Sequence, residues 1–146
     1  MQIDINAHTP FRSGTYPKFV SSENGCTHVG QNEAHDSVRH FQIVGGVLPK
    51  GKDPMRCDYL LLNDSNQRAY FIELKGSDIK KATEQIDASV AMIAASLPGY
   101  SVYKRIIYHT RTKAMANSDV LKWQKRNAGR YVIKERFFPE SINNDP

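Results

Sequence analysis

The chain contains few cysteines and no long apolar run. Cys26 and Cys57 are the only cysteines among 146 residues, too few for a disulfide scaffold, so we expect both to remain thiols in a reducing compartment. No apolar run approaches the roughly 18–20 residues that cross a bilayer, and the first residues lack the basic and apolar regions of a signal peptide. These absences argue against secreted and membrane-spanning classes, and they favour a cytoplasmic protein with no membrane partner.

The sequence also contains no internal repeat, no low-complexity tract and no helix-turn-helix, zinc-finger or RNA-binding signature. Hydrophobic residues make up 40% and charged residues 24%, which is typical of a folded protein. We therefore expect one domain over residues 1–146. The formal net charge of +5 mildly favours a polyanionic partner, although a surplus of this size also serves solubility alone.

The N-terminal region has the weakest pattern. Residues 1–25 contain two prolines, two glycines and a polar cluster without a sustained apolar period, so we expect an irregular N-terminal arm. After Asn32, a candidate helix cap, Ala34, Val38 and Phe41 fall at helical spacing. This spacing predicts a short helix.

The rest of the chain alternates between apolar runs and turn formers. Residues 41–44, 55–62 and 69–75 predict three strands joined by turns. Ser77 predicts the cap of a long helix over residues 78–97, because its apolar residues keep the spacing of one buried stripe. A strand over 102–108, a helix over 119–127 and a strand over 130–138 follow. This order predicts an α/β fold whose central mixed β-sheet of about four to five strands is flanked by helices.

Two of the predicted strands carry acidic residues. Asp58 interrupts one apolar run, and Glu73 with Lys75 interrupts the next. Because side chains alternate along a strand, Glu73 and Lys75 share a face, and pairing across the turn at residues 63–68 would bring Asp58 close to Glu73. A strand-end acid and a surface Glu–Lys pair would have the same spacing, so the spacing alone leaves both interpretations open.

Two neighbouring carboxylates favour a divalent cation. Hard oxygen ligands suit Mg²⁺ or Mn²⁺, and magnesium commonly binds through one or two carboxylates together with substrate phosphate and water. The metal would polarise a phosphodiester and lower the pKa of a bound water. Lys75 would position that water or stabilise the charge that develops on the phosphorus centre.

This arrangement resembles the PD-(D/E)XK nuclease superfamily, which includes restriction endonuclease-like and Holliday-junction resolvase-like proteins. The resemblance rests on Asp58, fourteen intervening residues, then Glu73-Leu74-Lys75 and a capped helix. It implies a restriction endonuclease-like core over about residues 30–109. It also implies that Asp58 and Glu73 bind the metal, that the Leu74 carbonyl can add a ligand, and that Lys75 is the catalytic lysine. Cys57 replaces the family's usual proline.

Two further site residues follow from the same resemblance. Many members carry an acid on the first helix, for which Glu33 is the first candidate and Glu23 the second. Several exonuclease-like members carry a glutamine on the helix after the motif, and Gln85 is expected to orient the carboxylates or the substrate. An ordinary first-turn acid and a solvated helix edge are the competing interpretations of Glu33 and Gln85.

Basic residues near the long helix and the following strand form a candidate nucleic-acid contact. They are Lys80, Lys81, Lys104, Arg105, Arg111 and Lys113. Solubilising charge is an equal alternative.

The sequence therefore predicts a nuclease that uses Mg²⁺ or Mn²⁺ to hydrolyse phosphodiester bonds, with DNA favoured over RNA. The small size suggests a homodimer or a subunit of a larger nuclease or defence complex. The alternative is a nuclease-like subunit that binds nucleic acid or protein without cleaving it.

Overall fold

The structure is a computed structural model that describes residues 1–110 and 117–143. The strands within these residues are β1 (Arg12–Gly14), β2 (Lys18–Glu23), β3 (Cys26–Gln31), β4 (Val38–Gln42), β5 (Tyr59–Asn63), β6 (Arg68–Lys75), β7 (Ser101–Tyr108), β8 (Tyr131–Glu135) and β9 (Phe137–Ser141). The α-helices of the described residues are α1 (Ile79–Ile93) and α2 (Ser118–Arg126), and short 3-10 turns cover Ile5–Ala7 and Ala94–Ser96.

The fold is mixed α/β, as expected, but its sheet content is larger than expected. One sheet has six strands in the order β1-β4-β5-β6-β7-β8, and a second has three in the order β2-β3-β9. Strands β4, β5 and β6 pair antiparallel, whereas β6, β7 and β8 pair parallel through crossovers that contain α1 and α2. The large sheet is therefore mixed, as the order of hairpins and crossovers predicts.

The large sheet is covered on both faces. One core includes Phe41, Leu60 and Phe71 together with the buried stripe of α1, whereas the other includes Leu61 and Ile72 together with residues of the small sheet. Because successive side chains of β5 and β6 enter opposite cores, both strands are buried almost throughout.

The long helix follows its sequence pattern closely. Ile79, Ala82, Ile86 and Ile93 are buried at the expected spacing. The cap is Asp78 instead of Ser77, since the Asp78 side chain accepts a hydrogen bond from the main-chain N–H of Lys81. The helix thus begins shortly after β6, the strand that carries Glu73.

The helix predicted after Asn32 is wrong. Asn32 closes a turn by accepting a hydrogen bond from the main-chain N–H of Asp36 at 2.9 Å, and His35 has φ of 52°. Strand β4 follows, and its Val38 and Phe41 enter the two opposite cores. Burial on both faces of a strand therefore produced the spacing that resembled a helix.

The expected irregular N-terminal arm is also wrong. This segment contributes β1 and β2, and Ile3, Ile5 and Phe19 are buried. Asn24 and Gly25, with φ of 53° and 72°, form the two-residue turn that joins β2 to β3. At the other end, the strand predicted over 130–138 is divided into β8 and β9 at Arg136, which has φ of 60°.

No helix within residues 1–110 and 117–143 combines the length and apolar character needed to cross a membrane.

Candidate active site

The fold brings Asp58, Glu73 and Lys75 together. Asp58 directly precedes β5, whose first residue pairs with Ile72 of β6. The Asp58 carboxylate accepts a hydrogen bond from the main-chain N–H of Leu74 at 2.9 Å. Lys75 Nζ lies 3.7 Å from Glu73 Oε2. Because side chains alternate along β6, those of Glu73 and Lys75 lie on the same face of the strand as Phe71, which packs in the core on the α1 side.

Main-chain hydrogen bonds fix Asp58 on both sides. Its N–H donates to the Ile72 carbonyl at 3.1 Å, and its carbonyl accepts from the N–H of Ile43 at 2.8 Å. The preceding N–H, that of Cys57, donates to Ser89 Oγ of α1 at 2.7 Å. A proline at position 57 would lack this donor, so the cysteine attaches the segment before β5 to the helix.

Burial and like charge dominate the electrostatics of the acidic pair. Glu73 is only 2% exposed, and burial together with the neighbouring Asp58 charge raises the pKa of Glu73 to about 9, while Lys75 acts in the opposite direction. Burial also raises the pKa of Asp58, against the lowering effect of the Leu74 N–H. Both carboxyl groups are therefore costly to ionise even with the Lys75 ammonium nearby.

A third carboxylate reaches the pair from the small sheet. Glu23 ends β2 close to Asp58, since burial followed by the Asp58 charge raises the pKa of Glu23. The adjoining turn is attached to β6, since Asn24 Nδ2 donates to the Leu74 carbonyl at 3.0 Å. Glu23, the second candidate for the additional acid, thus lies beside Asp58.

Glu33, the first candidate, occupies a different place. It is exposed in the turn between β3 and β4 and is not helical. Cys26, at the other end of β3, points its thiol at the Lys75 carbonyl, at 3.6 Å. Roughly 17 Å of extended strand separates Cys26 from the end of β3, where Glu33 lies. Without the predicted helix, Glu33 is not held beside Asp58.

The donor set fits a hard divalent cation that brings its own water. Glu73 Oε1 is buried without a hydrogen-bond partner among the described residues, and a buried carboxylate oxygen is costly to leave unpaired. In the described part of the chain, no three His, Cys, Asp or Glu side chains form a metal-holding group. Magnesium commonly uses only one or two carboxylates with water and phosphate. The Leu74 carbonyl already accepts the Asn24 amide, so it is less free to add a ligand than the sequence suggested.

Gln85 contacts a loop instead of the carboxylates. Its Nε2 donates to the Arg56 carbonyl at 3.2 Å. The side chain lines a cavity of about 360 Å³ between the 44–56 segment and the start of α1, which we call the loop cavity. Lys75 and Lys81 also line it, so the cavity adjoins the acidic pair through Lys75.

The predicted basic contacts separate into distinct environments. Lys80 lies between the helices, 3.7 Å from Glu84 and 3.9 Å from Asp119. Arg105 is wrong as a surface contact, because it is 1% exposed and its guanidinium donates twice to Glu140, at 2.8 and 2.9 Å. Arg111 and Lys113 lie outside the described residues.

The sequence interpretation missed Asn24 and Lys52. Asn24-Gly25 is a strong signal for a two-residue hairpin turn that could have been found between the apolar residues of β2 and β3. Lys52 lines the loop cavity from a segment that was interpreted only as a turn, and nothing in its local sequence distinguishes it from a solubilising lysine.

Neither a protein-family model, nor a curated protein, nor a solved structure matches this chain.

Proposed function

We propose that the protein is a Mg²⁺- or Mn²⁺-dependent nuclease that hydrolyses phosphodiester bonds, with DNA as its substrate. The observation that carries the proposal is the buried Glu73 carboxylate, which lies beside Asp58 and Lys75 and keeps one oxygen unpartnered among the described residues. The resemblance of Asp58, Glu73 and Lys75 to the PD-(D/E)XK motif supports the same function.

In this proposal Asp58 and Glu73 would hold the cation, which would polarise the phosphate and lower the pKa of a water molecule. The Leu74 N–H holds the Asp58 carboxylate in place. Lys75, whose side chain is 24% exposed, donates from its ammonium group to a non-bridging phosphate oxygen and stabilises the charge that builds there. Hydrolysis adds one water across a P–O bond, leaving one phosphate-bearing end and one hydroxyl end.

The test is cleavage of labelled single-stranded, duplex and four-way-junction DNA and of RNA, with Mg²⁺, Mn²⁺ or EDTA. Glu73→Gln removes one ligand charge from a buried position, whereas Glu84→Gln makes the same change on α1, where the side chain is 46% exposed. We expect metal-dependent cleavage that falls at least about a hundredfold in Glu73→Gln and is unchanged in Glu84→Gln. A fully active Glu73→Gln variant would contradict the proposal.

A subunit that binds nucleic acid or protein without cleaving it is the second candidate. It is favoured by the lack of any three-residue metal-holding group within the described ranges. A ligand that binds only the folded state raises the melting temperature. An unchanged melting temperature with Mn²⁺, together with no cleavage of any substrate, would support this alternative.

A further inference from the structure

The loop cavity offers three kinds of contact. Lys52, Lys75 and Lys81 provide ammonium groups, Val44 and Met55 provide apolar walls, and Gln85 provides an amide. A volume of about 360 Å³ lies within the range of about 300–1,000 Å³ that is usual for small-molecule pockets.

The orientation of the Gln85 amide follows from its neighbour. Its Nε2 faces the Arg56 carbonyl, and a reversed amide would place oxygen against oxygen. Its Oε1 is therefore the remaining group, and this atom is buried with no hydrogen-bond partner in the part of the chain that the structure describes. An unpaired buried acceptor is costly, so it favours a ligand that brings an N–H or O–H donor.

The charges of the cavity favour an anion. Among the described residues that line the cavity, Asp78 has the one carboxylate. This carboxylate caps α1 by accepting a hydrogen bond from the main-chain N–H of Lys81. The guanidinium of Arg56 donates hydrogen bonds to the carbonyls of Pro49 and Pro54. The lysine ammonium groups are thus the main cationic contacts that a bound anion would meet.

A phosphate alone matches only the polar contacts, because it has no apolar face for Val44 and Met55. A nucleotide can make all three kinds of contact that the cavity offers. Its phosphate suits Lys52 and Lys81, a flat base suits Val44 and Met55, and an N–H of the base suits Gln85. The cavity volume suits one nucleotide. A base that is paired in a duplex already uses its hydrogen-bonding edge for the opposite strand, so an unpaired base is the one free to donate to Gln85.

We infer that the loop cavity binds a single unpaired nucleotide adjacent to the phosphodiester held at Lys75, so that the substrate is single-stranded, frayed or flipped at the cleavage position. This inference rests on the proposed nuclease function for its biological meaning, since Lys75 both lines the cavity and lies 3.7 Å from Glu73. The binding itself needs no metal ion.

The test is an NMR titration of the full chain in EDTA with each deoxynucleoside 5′-monophosphate, with the matching nucleosides and with inorganic phosphate. Gln85→Leu removes the acceptor and Lys52→Ala removes one ammonium group. Gln124→Leu and Lys125→Ala make the same changes on α2, at a half-buried and an exposed position.

We expect at least one nucleotide to bind about fivefold more tightly than phosphate or its nucleoside. Its affinity should fall about five- to tenfold in Gln85→Leu and in Lys52→Ala, as for one lost hydrogen bond or charge contact. It should not change in Gln124→Leu or Lys125→Ala. Nucleotides that bind no better than phosphate would overturn the inference, as would equal binding by the wild type and both cavity variants. Because these titrations contain no metal, nucleotide binding without cleavage would contradict only the proposed nuclease. Cleavage without selective nucleotide binding would contradict only the cavity inference.

Discussion

The main-chain N–H of Leu74 donates a 2.9 Å hydrogen bond to the side chain of Asp58. This contact joins the segment before β5 to β6 without using the side chain of Glu73. The Asp58 carboxylate is therefore held by the backbone, and a substitution at Glu73 can change the chemistry of the site while leaving Asp58 in place.

Glu73→Gln should stabilise the metal-free protein. In the metal-free protein the raised pKa keeps Glu73 protonated at neutral pH, which costs free energy that a neutral amide does not require. The amide can also donate to the Asp58 carboxylate, so we expect the free energy of unfolding to rise by about 1–3 kcal/mol at neutral pH. Urea denaturation in EDTA measures this. Glu84→Gln is the control, and a less stable Glu73→Gln protein would show that Glu73 is a structural residue.

His40 should make stability depend on pH. Burial lowers the pKa of His40 to about 3, so below about pH 6.5 the unfolded chain binds a proton that the folded chain does not. This effect reduces stability as the pH falls, by about 2 kcal/mol between pH 6.5 and 5. The raised pKa of Glu73 acts in the opposite direction over the same window.

The contribution of His40 is therefore measured as a difference. Urea denaturation at pH 6.5 and pH 5 should show that His40→Asn gains about 2 kcal/mol relative to the wild type on acidification. Ser21, which lies 2.7 Å from the His40 ring nitrogen, stays in both proteins. Parallel pH profiles for the two proteins would contradict the prediction.

Arg105 should matter for stability and not for direct nucleic-acid contact. Arg105→Met leaves the Glu140 carboxylate, whose side chain is 11% exposed, with one partner fewer, and removing one member of a buried pair costs about 3–5 kcal/mol. Lys104→Met, at the neighbouring and more exposed pair with Asp87, should cost at most about 1 kcal/mol. Thermal and urea denaturation compare the two variants, and equal losses would refute the structural role.

The Asn24-Gly25 turn should be needed for activity. Gly25→Ala places a Cβ at φ of +72° and 2.8 Å from His109 Cδ2, whereas Gly129→Ala meets the same left-handed backbone, at φ of +79°, in open space. Gly129→Ala should lose about 1–2 kcal/mol of stability from its backbone conformation, and Gly25→Ala at least as much, because the His109 side chain must also move. Only Gly25→Ala should also lower cleavage, by about tenfold, because its turn positions Glu23. Equal activity in the two variants would argue against a role for the turn.

The pairing of Asp58 with Glu73 could be predicted because it depends on local rules. Alternation along β6 and the short turn before Arg68 determine which side chains meet across a hairpin. The stripe of α1 was equally readable, since one apolar face of a helix repeats at a fixed spacing.

Contacts between distant segments could not be read in the same way. Glu23 lies near Asp58 only because a second sheet covers the first. No local sequence pattern predicts that second sheet. The spacing of Val38 and Phe41 fits a helix as well as a strand buried on both faces, which is the ambiguity that periodicity leaves. Arg105 looked solvent-exposed because its partner Glu140 lies 35 residues away.

Binding of Mn²⁺ is the most direct test of the proposed metal site. Asp58→Asn keeps an oxygen that can accept the Leu74 N–H but removes the charge, so its fold should be retained. Electron paramagnetic resonance of free Mn²⁺ should reveal about one bound ion per wild-type chain and an affinity at least about tenfold weaker in Asp58→Asn. Equal Mn²⁺ binding by the two proteins, or none by the wild type, would contradict the account.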